Sequence, residues 1–263
     1  MPATTLFPLD VALVQQYHNE GYMVLDSVLD PGMLDFIRQY CDRAVLETES
    51  RMRAEGKTQD GINLLGSRYF ISHFTRQYPP LFRAIFNDTM AEICRQTIGP
   101  DAYLHNEQFV VKLSGEEGKF AWHQDGGYTI DKGEGAPHRP YVTCWIPLDD
   151  VSDANGTVRI LPYSRAGTRD LIKHEWVESA GNMVGYQGDD PGDPVEAKAG
   201  SIVVFSSTTL HCSGPNRTAR PRRSLFVAYS PDVIMNRDPA KGAWGRGIAF
   251  LKAGRRVDEL ANA

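Results

Sequence analysis

His123, Asp125 and His211 are the side chains here whose types and spacing point most directly to chemistry, and Arg222 follows eleven residues beyond the last. Two imidazoles and one carboxylate form the facial set that binds non-haem iron(II), leaving three coordination positions for an oxidant and a cosubstrate. The same donors also suit zinc with water in an open position, as in a cupin-like hydrolase or isomerase. In an extended segment residues i and i+2 project to one side, so His123 and Asp125 can reach one ion while Gln124 faces away. The third ligand must come from a distant strand, and His211 follows the strand-like run 201–205. A strand starting near Arg222 and antiparallel to the His211 region would carry its guanidinium into a barrel. There its planar fork can bind a carboxylate through two parallel hydrogen bonds. The plainer alternative is a solvated cluster of Arg217, Arg220, Arg222 and Arg223 at a strand edge.

The elements that must position these residues divide the chain in two. Apolar spacing and a stop at Gly21 predict a short helix over 10–20, with a strand over 22–28 after it. Asp30-Pro31 is an N-cap followed by a first-turn proline, and predicts a long helix ending at Gly56. Two further helices are expected at 80–86 and 89–98. From Ala102 onward the runs 103–113, 141–148, 156–161, 201–205 and 223–230 are β-branched, aromatic or apolar, and are bounded by turn residues. Helices followed by many short strands predict a mainly β fold with flanking helices, its core a double-stranded β-helix of jelly-roll or cupin-like form. The expectation is one domain over 1–263, helical to about residue 100 and jelly roll over about 101–235. The Gly-, Asp- and Pro-rich segment 181–199 reads as a long loop.

Bulk properties narrow the class. A chain of 263 residues can build its core without disulfides or structural metals. Its four cysteines are scattered without a C-x-x-C pair and read as buried free thiols. A net charge of −5 leaves no basic footprint for nucleic acid. Neither a secretory signal nor an apolar run of membrane-spanning length is visible, so a cytoplasmic protein is expected.

Several ordered motifs together resemble the phytanoyl-CoA dioxygenase family of Fe(II)/2-oxoglutarate-dependent oxygenases. They are Gly21-Tyr22-Met23-Val24, Phe120-Ala121-Trp122-His123-Gln124-Asp125, Asn155-Gly156 with Leu161-Pro162, and His211-Cys212-Ser213-Gly214-Pro215-Asn216 with Arg222. The resemblance implies an oxidoreductase using Fe(II), 2-oxoglutarate and O2, with His123, Asp125 and His211 on the metal. It implies Arg222 on the far carboxylate of 2-oxoglutarate, assisted by Ser213, with Trp145 and Asn106 in the cosubstrate pocket. Leu161-Pro162-Tyr163-Ser164-Arg165 departs from the family's usual "LPGSH", and Gly126-Gly127-Tyr128-Thr129 departs from the ectoine-hydroxylase signature. Retention of Asp125 implies oxygenation rather than halogenation.

The expected reaction is hydroxylation of an unactivated C–H bond in a small metabolite or natural-product intermediate, giving succinate and CO2 as co-products. Desaturation, epoxidation and ring formation are the alternatives at the same centre. Tyr128, Arg68 and Tyr69 are candidates for the substrate pocket. The reading implies a small-molecule substrate, with neither nucleic acid nor membrane as partner, and sets no oligomeric state.

Overall fold

The computed structural model describes residues 9–132, 134–178 and 181–258. Its helices begin where the sequence offers a capping oxygen. Asp10 accepts the Ala12 N–H to open α1 (Val11–Glu20), and Gly21, at φ +84°, ends it. A Cβ at Gly21 would also lie 2.5 Å from Thr209 Oγ1, so glycine is needed there for space as well as for its left-handed backbone. Strand β1 (Tyr22–Leu25) follows. Asp30 then accepts the Met33 N–H and Pro31 starts the long α2 (Pro31–Ala54). Leu34, Ile37, Cys41, Ala44, Thr48 and Met52, three or four residues apart, form its buried stripe.

The strands β2 (Gln59–Asp60), β3 (Asn63–Leu64) and β4 (Arg68–Ser72) come next, followed by α3 (Phe74–Gln77), α4 (Phe82–Ile85) and α5 (Asp88–Thr97). The second part holds β5 (Ala102–Lys112), β6 (Phe120–His123), α6 (Asp125–Gly127), β7 (Val142–Pro147), β8 (Val158–Leu161) and α7 (Tyr163–Ala166). It continues through β9 (Glu175–Val177), β10 (Asn182–Val184), β11 (Asp193–Pro194), β12 (Ile202–Ser206), β13 (Leu210–Ser213), β14 (Arg222–Ser230), β15 (Ile248–Lys252) and β16 (Arg255–Arg256).

These strands form a large sheet in the order β1-β12-β7-β14-β5-β4-β3-β2, extended by β15 and β16, and a small sheet in the order β11-β8-β13-β6. Together they make the jelly-roll core. Alternation sorts the side chains of the large sheet between its two faces. On β7, Cys144 and Ile146 join the core shared with the helices, while Trp145 packs with Phe205, Val158 and Ile160 between the sheets. The functional side chains lie on that inner face.

Three sequence expectations need correction. The Arg222 strand, β14, pairs with β5 and β7 and not with the His211 strand. It belongs to the opposite sheet, so Arg222 faces the small sheet across the barrel. Segment 181–199 is only partly loop, because β10 pairs with β9 and β11 with β8. The strand expected over 22–28 is present as β1, but β2, β3 and β4 are strands that the helical reading of the first hundred residues did not include.

One irregularity bears on the site. Ala228 pairs with Asn106 and Tyr229 with Leu104, which leaves His105 as an extra residue on β5. Bulges of this kind re-aim a side chain. His105 and Asn106, adjacent in sequence, consequently both line the central cavity.

Candidate active site

His123 ends β6 and His211 lies opposite it on β13, as a cross-strand pair with ring centroids 4.2 Å apart. Gln124 keeps an extended backbone, and Asp125 then starts α6, so Asp125 joins the histidines. Asp125 Oδ1 lies 3.6 Å from His211 Nε2 and 3.9 Å from His123 Nε2. Ligand atoms of all three residues lie within 4.8 Å of one another.

The surrounding hydrogen bonds fix what each group presents. His123 Nδ1 donates to the Ala121 carbonyl at 2.7 Å and His211 Nδ1 to the Thr209 carbonyl at 3.0 Å. Both Nε2 lone pairs are thereby turned inward, as metal binding requires. Thr143 Oγ1 donates to Asp125 Oδ2 at 2.7 Å and leaves Oδ1 facing the imidazoles. Burial, and for His123 the neighbouring His211, pushes the imidazoles down to about 3 for His123 and about 4 for His211, so both are neutral near pH 7. Burial raises the Asp125 carboxyl. An N,N,O set of neutral imidazoles and a desolvated carboxylate fits a divalent cation with open coordination positions.

Gln124 holds this geometry from behind. Its side-chain amide donates to the Asp170 and Thr208 carbonyls at 2.9 and 2.6 Å and accepts the Ile172 N–H at 2.8 Å. Its own backbone N–H donates to His174 Nε2 at 2.8 Å. His174 in turn packs so closely on α6 that a Cβ at Gly127 would lie 2.2 Å from its ring. No spacing rule pointed to Gln124 or His174, whose partners are brought together only by the fold.

Arg222 enters from the large sheet at 2% exposure. Its Nη1 donates to Ser224 Oγ at 3.0 Å, its buried Nε has no partner, and its guanidinium carbon lies 5.7 Å from the Trp145 ring centre. Burial pushes Arg222 down to about 10. Lys112, fully buried, is its cross-strand partner on β5. Lys112 Nζ donates to Ser213 Oγ at 3.0 Å, to the Gly118 carbonyl at 3.1 Å and to the Gly214 carbonyl at 2.5 Å. Burial, and next the charge of Arg222, pushes Lys112 down to about 6. Neither Arg222 nor Lys112 forms an ion pair with an acid among the described residues. Lys112 was not singled out from the sequence; the available signal was one lysine closing the apolar run Phe109-Val110-Val111 on a strand.

A cavity of about 760 Å³ joins these groups. His123, Asp125, His211, Arg222, Ser213, Trp145, Asn106 and Tyr128 all line it. The Tyr128 ring stands edge-on to His123 with centroids 5.1 Å apart. The structure does not place Tyr69 there. Tyr69 is fully buried on the helix side, where its hydroxyl donates to Glu49. Alternation along β4 explains the difference: Phe70 and Ser72 line the cavity and Tyr69 faces the other way. Arg68 is also drawn off, its Nη1 pairing with Glu116 at 3.2 Å and its Nε donating to the Ile62 carbonyl.

Comparisons with known proteins identify the family and the fold. Residues 17–224 match the family model described as phytanoyl-CoA dioxygenase (PhyH). An ectoine dioxygenase of Bordetella parapertussis is 24% identical over 231 residues, covering 82% of this chain and 74% of that protein. Among solved structures, EctD from S. alaskensis with 2-oxoglutarate and 5-hydroxyectoine superposes with a TM-score of 0.70 at 16% identity, over 97% of this chain and 89% of that one. The 2-oxoglutarate-dependent carbocyclase SnoK from nogalamycin biosynthesis gives 0.68 at 18% identity over 90% of each chain. The chain belongs to the phytanoyl-CoA dioxygenase family, and so to the 2-oxoglutarate-dependent dioxygenases, with iron as cofactor and 2-oxoglutarate and O2 as cosubstrates.

Proposed function

We propose that this enzyme hydroxylates an unactivated C–H bond of a small metabolite or natural-product intermediate, forming succinate and CO2 from 2-oxoglutarate. In this reading His123, Asp125 and His211 hold Fe(II). Arg222 and Ser213 bind the distal carboxylate, and Trp145 and Asn106 line the cosubstrate pocket. Bound iron supplies the activation of O2 coupled to oxidative decarboxylation of 2-oxoglutarate.

The observation that carries this reading is the buried Arg222 guanidinium beside the donor triad, with no acid paired to it and the Lys112 side chain next to it. An unpaired buried charge is costly, and an incoming carboxylate supplies the missing partner. Lys112 fixes the Ser213 oxygen as its own acceptor, leaving the Ser213 hydroxyl hydrogen free to turn to the carboxylate. Thr143 and the two backbone carbonyls on the histidine Nδ1 atoms keep the ligands oriented, and Phe205, 4.6 Å from His211 between ring centroids, limits water on that side. A single catalytic domain is supported by β1 and β4, which the first hundred residues contribute to the sheet carrying Arg222.

The carbocyclase and epimerase among the structural relatives support ring formation and other oxidations as the alternative outcome. The test is succinate formation from 2-oxoglutarate by iron-loaded protein, with His123→Ala and Asp125→Ala removing it. Full turnover by metal-free protein would refute the reading. Turnover of a substrate that persists without oxygen would favour the zinc-type hydrolase or isomerase.

A further inference from the structure

We infer that the substrate is an uncharged, largely apolar molecule carrying at least one ring, held between aromatic walls and read by neutral polar groups. The inference rests on the oxygenase reading and concerns the outer part of the same cavity. Besides the triad and the cosubstrate residues, its walls are chiefly Phe70, Tyr128 and Trp244, with Ile62 at 40% exposure, while Phe120, cross-strand from Ser213, and Phe226, cross-strand from Trp145, border the cosubstrate end. The polar groups among them are neutral. They include Ser72, Gln108 and His105, the residue that the β5 bulge turns inward. Burial pushes His105 down to about 4, and His73 is also lowered by burial, so neither contributes a cation near pH 7.

Among the described residues lining the cavity, the side chains charged at that pH are Asp125 and Arg222, both occupied in the proposed metal and cosubstrate site. Two ion pairs of residues that do not themselves line the cavity take up further charge. Arg68 bonds Glu116 at 3.2 Å, and Arg246 bonds Glu107 and Thr75. A carboxylate, phosphonate or ammonium group on the substrate would therefore enter an apolar enclosure without a countercharge. Desolvation opposes that entry. Ring faces instead find edge and face contacts with the aromatic walls. A site built from apolar walls and a few placed polar groups orients a neutral ligand by shape and by a small number of hydrogen bonds.

The experiment uses iron- and 2-oxoglutarate-loaded protein without oxygen. It follows the visible absorption of the iron–2-oxoglutarate complex as probes are added. The probes are 2-naphthylmethanol, 2-naphthoate and 2-naphthylmethylammonium, with ectoine and methylphosphonate as small charged compounds. The expected result is saturable binding of the alcohol, about tenfold or more tighter than either charged counterpart, because the charged forms lose hydration without a partner. Equal or tighter binding by a charged probe overturns the inference. So does failure of the alcohol to bind protein that takes up 2-oxoglutarate normally. Binding of 2-oxoglutarate is measured first and alone, so failure there counts against the oxygenase reading and is seen separately.

Discussion

Replacing Arg222 with methionine separates its proposed role in binding from any role in folding. Without a carboxylate the guanidinium is 2% exposed, bonded to Ser224, partnerless at Nε and beside the buried Lys112 side chain. It is thus a desolvated charge with little to offset the loss of water. Methionine is unbranched and apolar, fills the stem's part of the space and carries no charge, so the ligand-free protein should melt at the same temperature or higher. Binding of 2-oxoglutarate should change in the opposite direction. Removing one partner of a desolvated, hydrogen-bonded charge pair costs about 2–5 kcal/mol, roughly a 30- to 4,000-fold rise in Kd. Calorimetric titration of iron-loaded, oxygen-free protein measures that change directly. Melting supplies a second readout, since ligand at about 100 times Kd stabilises by about 2.7 kcal/mol in the parent protein and by much less in the variant. A Kd within about threefold of the parent, a change worth less than about 1 kcal/mol, would refute the assignment of Arg222 to the carboxylate. A sharp fall in the ligand-free melting temperature would refute the claim that its charge is uncompensated.

Lys112→Met should raise KM for 2-oxoglutarate by roughly 10-fold, through about 1.5 kcal/mol from the lost hydrogen bond that orients Ser213, with a smaller effect on kcat. Steady-state kinetics at varied 2-oxoglutarate checks this, and an unchanged KM would count against it. Gly127→Ala drives a methyl group into His174 and should lower the melting temperature, since the ring that holds the Gln124 N–H must move; an unchanged melt would show that the contact is slack. His105 is neutral in the folded protein down to about pH 4 but takes up a proton near 6.5 when unfolded. Its contribution to stability is full above pH 6.5 and declines as pH falls towards 4, by a total of about 3 kcal/mol. His105→Gln should flatten that acid slope in pH-dependent unfolding, and a slope equal to the parent's would contradict the burial argument. Tyr69→Phe should lower stability by about 1 kcal/mol through loss of the bond to Glu49 and leave substrate kinetics unchanged; altered substrate KM would return Tyr69 to the pocket.

The sequence alone determined the features that depend on local chemistry. His123 and Asp125 two residues apart, His211 after a strand-like run and Arg222 beyond it defined the donor set, and the Asp30-Pro31 cap and apolar spacing defined the long helix. These are legible because capping, alternation and ligand type are properties of a residue and its near sequence. What only the tertiary structure decided depends on which sheet each strand joins. Arg222 came to the cavity from the sheet opposite His211, rather than from a strand paired with it. Lys112 came to lie beside Arg222 because the β5–β14 register sets the two across from each other. Tyr69 turned to the helices because its parity on β4 is the reverse of Phe70's. His105 turned inward because one extra residue in β5 broke that alternation. Register and sheet membership arise from burying one whole face of a sheet at once, a constraint shared by residues more than a hundred positions apart.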